Sequence, residues 1–143
     1  MYKNGGPIIM VQIENEYAGY GDRFKPGNLD PEFLGWLAQT VRNTGCEELL
    51  FTSDFGLDLA KYTYPGYGAA LEDALWTVNF KDNPDLYFGE LEKIQPDGPL
   101  MVMEWWTGWF DYWGEEHHGW SNQDFEYNLG KIIGDHGQGV HFE

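Results

Sequence analysis

The 143-residue sequence is 42% hydrophobic and 17% aromatic, enough to bury one sizeable core. Its formal net charge of −16 and pI near 4.3 make contact with nucleic acid or an anionic lipid surface repulsive, and leave neutral ligands open. A single cysteine, Cys46, excludes an internal disulfide and a cysteine-built metal site, and no apolar run has the length of a membrane span.

The chain opens with MYKNGGPI, which lacks the apolar stretch of a leader peptide and reads as a connection within a longer protein, because NGGP leads straight into a strand. That strand is PIIMVQI, residues 7–13. Alternation puts Ile9, Val11 and Ile13 on one side, with Met10, Gln12, Glu14 and Glu16 on the other. Asp30 then caps a helix with Pro31 at its first position, and Phe33, Leu34, Leu37 and Val41 form its apolar stripe up to Gly45. ELLFTSD (48–54) is predicted as a second strand and DALWTVNF (73–80) as a third. Asn83 and Pro84 open a second helix ending near Ile94, and GPLMVMEWW (98–106) is a fourth strand. Ser121 and Asp124 fit a capping box before a helix whose predicted buried face is Phe125, Leu129, Ile132 and Ile133. GVHFE (139–143) starts a fifth strand.

Strand starts recur at roughly 25 to 40 residues, near the ~31 expected for a (β/α)8 barrel of about 250 residues. Apolar strands between amphipathic helices imply an α/β fold with a parallel sheet covered by helices. Two architectures fit. One is a partial barrel; the other is a small doubly wound sheet, which needs no missing strands but lacks a Gly-rich loop after its first strand.

Two motifs carry chemistry. IENEYAGYG (13–21) puts Glu14, Asn15 and Glu16 at the end of the first strand, and MEWWTGWFDYWGEEHH (103–118) puts Glu104 at the end of the fourth, ahead of an aromatic run. The carboxyl ends of parallel strands share one rim, so Glu16 and Glu104 are expected to converge despite their separation in sequence. Singly, either glutamate reads as a solvated rim residue or a helix-cap partner. Paired beside indoles, they fit sugar chemistry: one carboxylic acid protonates a leaving oxygen, the other attacks the anomeric carbon or activates water, and aromatic faces cover the C–H face of a pyranose. Trp106 and Trp109 follow the strand end directly and are candidate site residues, whereas Trp76, Phe110 and Trp113 read as core or interface packing. EEHH (115–118) reads as a solvated loop, because adjacent residues point in different directions and make a poor metal site. Glu14 reads as an ionic group supporting the site from within.

GGPIIMVQIENEYAGYG and GPLMVMEWWTGWFDYWGE resemble the two signature regions of glycoside hydrolase family 35, the β-galactosidases, and the likeness runs on through LLFTSD and GQGVHF. The resemblance implies that residues 1–143 form one incomplete glycosidase catalytic domain, a partial (β/α)8 TIM barrel from about strand 4 to the start of strand 8. It implies hydrolysis of a terminal β-galactoside by double displacement with retention, with Glu16 as acid/base, Glu104 as nucleophile and Asn15 on the sugar 2-hydroxyl. Trp106 and Trp109 would bind the substrate. Glu104 must attack as the anion, so its surroundings are expected to donate hydrogen bonds to it. No metal or organic cofactor is required, and the family's setting is secreted or lysosomal. Two other classes of function are a catalytically silent galactoside binder and an α/β domain with no sugar site. The chain departs from the family at Ala18, commonly Gly, which points to an unusual backbone conformation there. Trp105 and Trp106 stand where Phe or Tyr is usual, so Trp106 is expected to reshape the sugar pocket, and Glu143 replaces an aromatic residue.

Overall fold

The computed structural model describes residues 1–19, 29–63, 71–135 and 139–142. Its strands are β1 Met10–Gln12, β2 Leu49–Phe51, β3 Asp54–Phe55, β4 Ala74–Leu75, β5 Val78–Phe80, β6 Met101–Trp105 and β7 Gly139–Phe142. The pairings between these strands are all parallel: β1 with β2, β2 with β4, β3 with β5, β5 with β6, and β6 with β7. The pair β2/β3 occupies the stretch read as one strand over 48–54, and β4/β5 the stretch over 73–80. The five stretches therefore neighbour one another in chain order. A doubly wound sheet must reverse its strand order once, and no described pairing does so.

The ladder lapses between β2 and β3 and between β4 and β5, and two threonines fill the gap. The Thr52 N–H donates to the Leu75 carbonyl at 3.0 Å, the Thr77 hydroxyl donates to the Thr52 carbonyl at 2.6 Å, and the Thr77 N–H donates to Thr52 Oγ1 at 3.3 Å. Both side chains are buried, so these bonds satisfy polar groups that water does not reach. At the first strand the difference from the sequence reading is larger. β1 stops at Gln12 because Glu14 and Glu16 take positive φ values of 60° and 49°, which ends the extended conformation on which the predicted alternation depends.

Among the described residues three α-helices cover the strands: α1 Pro31–Asn43, α2 Pro84–Ile94 and α3 Asn122–Gly130. Asp30 Oδ1 accepts from the N–H groups of Glu32 and Phe33 at 2.9 and 3.2 Å, the capping expected of an Asp before Pro. Ser121 Oγ accepts from Asp124 N–H at 3.1 Å while its own hydroxyl donates to Asp124 Oδ2 at 2.6 Å, so the Asp carboxylate bonds the Ser hydroxyl. Asn83 precedes α2 with φ 56° and makes no side-chain cap. Beyond α3 the helix widens into a π turn over Lys131–Asp135, where Ile132 is buried but Ile133 is 52% exposed. Successive helical residues point about 100° apart, so the predicted shared burial of these two isoleucines is corrected.

The core lies between the strands and helices, around Leu34, Leu59, Val78, Phe80, Phe88, Leu91, Val102, Trp105 and Ile132. Phe80 meets Phe88 of α2 edge-on at 5.4 Å. Trp105 packs between Trp120 and Phe125 at 5.7 and 5.2 Å, and its Nε1–H donates to the Lys81 carbonyl at 2.9 Å, which spares a buried donor its desolvation cost. No helix among the described residues is long and apolar enough to cross a membrane.

Candidate active site

The turn after β1 is sewn to the neighbouring strand. Ile13 N–H donates to the Phe51 carbonyl at 2.7 Å and Glu16 N–H to the Ser53 carbonyl at 2.6 Å, while Gly19 N–H closes on the Glu16 carbonyl at 2.9 Å. Asp54 Oδ1 accepts from Ala18 N–H at 3.2 Å. These bonds hold two glutamates in the left-handed region, which costs about 1–3 kcal/mol each and persists only when the surroundings fix it. Ala18 is buried and is not among the positive-φ residues. The unusual backbone expected at Ala18 falls on Glu14 and Glu16 instead.

Glu104 comes from β6, where it pairs in register with Asn79 of β5. Its Oε1 accepts from Ser53 Oγ at 3.3 Å and its Oε2 from Trp106 Nε1 at 3.1 Å, so each oxygen of the carboxylate has a donor. Two buried polar residues then connect it to Glu16. Asn79 Nδ2 donates to Glu16 Oε1 at 3.3 Å while Asn79 Oδ1 accepts from the Glu104 N–H at 3.2 Å. Ser53 does the converse, since its carbonyl takes the Glu16 N–H and its hydroxyl reaches the Glu104 carboxylate. Neither residue is singled out by sequence reasoning. The available signal is a polar side chain inside an apolar run, in WTVNF and LLFTSD, because a buried amide or hydroxyl requires partners.

Glu16, Glu104, Trp106 and Trp109 line one cleft of ≈ 620 Å³, together with Phe110, His117 and His118. Trp106 stacks on Phe55 at 6.0 Å and meets Trp109 edge-on at 5.8 Å, and Trp109 is half-exposed toward the opening. Asn15 is not among the lining residues. Its Oδ1 accepts from Gln12 Nε2 at 3.1 Å, and its N–H donates to Glu14 Oε2 at 3.3 Å, which is the contact the structure gives for the Glu14 carboxylate.

Beyond Trp106 the chain leaves the sheet in an excursion closed by a bridge between Gly108 and Gly119, with Trp109 N–H donating to the His118 carbonyl at 3.0 Å. Trp76 is buried in the core, whereas Phe110 lines the cleft and Trp113 is wholly exposed, so of the core or interface packing read for these two the core half is corrected. EEHH is exposed throughout, as a solvated loop is, and its histidines also bond to Asp111. The Asp111 carboxylate gathers His117 Nδ1 at 2.8 Å, the His118 N–H at 2.7 Å and His118 Nδ1 at 3.1 Å. The His117 hydrogen bond, then the His118 N–H, hold the Asp111 pKa down to about 2. Among the described residues no group of three or more His, Cys, Asp or Glu is arranged to hold a metal ion.

Comparison with known proteins addresses the same two motifs. The family model for Glycosyl hydrolases family 35 matches residues 1–141. The chain is 33% identical over 132 residues to Beta-galactosidase-1-like protein 3 of Homo sapiens, covering 92% of this chain and 18% of that protein. It is 41% identical over 116 residues to Beta-galactosidase of Xanthomonas manihotis, covering 80% and 17%, and 37% identical over 120 residues to Beta-galactosidase of Homo sapiens, covering 82% and 16%. The chain thus spans less than a fifth of the length of these relatives. Because the match extends through both glutamate-bearing strand ends and nearly all of the sequence between and around them, the chain belongs to glycosyl hydrolase family 35.

Proposed function

We propose that the protein is a β-galactosidase acting on terminal β-galactosides by double displacement with retention, and that residues 1–143 supply about strand 4 to the start of strand 8 of a (β/α)8 catalytic barrel. The observation that carries this reading is the coupling of Glu16 and Glu104 through Asn79 and Ser53 beside an aromatic-walled cleft. A retaining glycosidase needs two carboxyl groups held in fixed relation across a scissile bond.

In the first step Glu104 attacks the anomeric carbon, the bond to the leaving oxygen breaks, and Glu16 gives that oxygen its proton. Glu104 is then an ester and Glu16 an anion. In the second step Glu16 takes a proton from water, the water oxygen attacks the anomeric carbon, and Glu104 leaves as a carboxylate with Glu16 reprotonated. Trp106 donates to one oxygen of Glu104 and Ser53 to the other, which fixes the plane of the attacking carboxylate. Trp109 offers a half-exposed indole to the sugar. Asn15 neighbours Glu16 and would exchange its Gln12 bond for the sugar 2-hydroxyl.

The test is turnover of an aryl β-galactoside by the complete protein, with the anomeric configuration of the first product followed by proton NMR. β-Galactose as first product supports the reading, and α-galactose would replace it with inversion. A folded protein that binds galactose without turnover would be a silent relative. In the same assay Trp109→Ala is expected to weaken galactoside binding by about 1–3 kcal/mol, from lost stacking and burial. Unchanged affinity with a lower Tm would make Trp109 a structural residue.

A further inference from the structure

We propose that Asn79 determines which oxygen of Glu16 carries the catalytic proton, acting as a positioning residue for the acid/base; this rests on the galactosidase reading above. Asn79 is 0% exposed, so no water competes for its amide. The orientation of that amide is fixed by a group that can only donate. The Glu104 N–H points at Asn79 Oδ1 at 3.2 Å, and a reversed amide would set NH2 against N–H. The Ser53 hydroxyl, 3.1 Å from the same oxygen, adds a second donor when its proton turns that way. Nδ2 must therefore face Glu16 Oε1, where the separation is 3.3 Å.

An amide NH2 cannot accept a hydrogen bond, so Oε1 of Glu16 must act as an acceptor in both protonation states. The carbonyl oxygen of a carboxylic acid is a stronger acceptor than its hydroxyl oxygen, so Oε1, facing the Asn79 NH2, is the carbonyl of the neutral acid and the proton resides on Oε2, the oxygen left to meet the leaving group. The same Asn79 side chain is anchored to the main chain of the nucleophile, so acid and nucleophile share one rigid reference. This orientation survives the catalytic cycle, because the Glu104 N–H does not depend on the charge of the Glu104 side chain.

The experiment has two arms on the complete protein. In the first, Asn79→Leu keeps the branched outline of Asn and removes its hydrogen bonds to Glu16, Glu104 and Ser53. It is expected to lower kcat/KM on an alkyl β-galactoside, whose poor leaving group needs the acid, by about tenfold to a hundredfold. On a dinitrophenyl β-galactoside, which departs without proton help, kcat/KM should hold within about threefold. Equal loss on both substrates would mean that Asn79 merely supports the fold. Asn79→Asp keeps the acceptor toward Glu104 and puts a titratable group opposite Glu16, so the alkyl substrate alone should acquire a further pH dependence; its absence would overturn the proposal. In the second arm, a neutron structure of the wild-type protein at acidic pH should place the deuteron on Glu16 Oε2. A deuteron on Oε1 would overturn the proposal. This measurement needs no turnover, so an inactive wild-type protein would defeat the galactosidase reading while the deuteron position still decided the role of Asn79.

Discussion

Glu104→Gln in the complete protein is expected to abolish the covalent galactosyl intermediate and lower kcat/KM by about 10³-fold or more, as removal of a nucleophile does in other covalent mechanisms. The cleft should nevertheless remain intact. Glutamine offers one acceptor oxygen and one NH2 where the carboxylate offered two acceptors. Trp106 Nε1–H can only donate, so the amide oxygen must stay toward Trp106 and the NH2 must turn to Ser53. Ser53 can receive it, because its hydroxyl proton has a second acceptor in Asn79 Oδ1 at 3.1 Å. Galactose binding is therefore expected to change little. A fluorinated galactoside that traps the intermediate should label the wild type at Glu104 and leave the variant unlabelled by mass spectrometry. In Glu104→Ala, whose shortened side chain vacates the face from which Glu104 attacks, azide should restore part of the turnover and give α-galactosyl azide. A variant that still forms the labelled ester would remove Glu104 from the nucleophile's role.

The parts legible in the sequence are those set by neighbouring residues. The start of α1 follows from Asp30 before Pro31, and that of α2 from Pro84, whose ring fixes φ at a helix start and removes a donor that has no partner there. The glutamate motifs are legible too, since a charged residue at the end of an apolar strand is an anomaly visible without any partner. What escapes is whatever depends on register between distant segments. The lapses at Thr52 and Thr77 exist because β2 pairs with β4 while β3 pairs with β5, and Asn79 meets Glu104 because β5 and β6 align them. The left-handed turn at Glu14 and Glu16 escapes for the opposite reason. Local preference favours an extended continuation, and tertiary bonds to Phe51 and Ser53 override it. Phe110 and Trp113 read as core or interface packing in the sequence, but the bridge at Gly108 and Gly119 carries them off the sheet and out of the core.

Glu16→Gln is expected to separate substrates by leaving group. Loss of the general acid should lower kcat/KM about 10²- to 10⁴-fold for alkyl galactosides, while dinitrophenyl galactosides, which need no proton, should form the glycosyl ester at close to the wild-type rate. The amide is held like the acid it replaces. Asn79 Nδ2 requires an acceptor at the Oε1 position, so the glutamine oxygen stays there and its NH2 occupies the place of Oε2–H. The variant thus presents a hydrogen in the proposed position that it cannot transfer. It also lacks the base for the second step, so the ester should accumulate from activated substrates as a burst of dinitrophenol followed by slow turnover. Azide, which needs no deprotonation, should relieve that slow phase by attacking the ester itself and give β-galactosyl azide. The opposite azide configurations expected from Glu104→Ala and Glu16→Gln distinguish the two roles with one product analysis. A uniform loss across leaving groups, or α-galactosyl azide from Glu16→Gln, would show that Glu16 is not the acid/base.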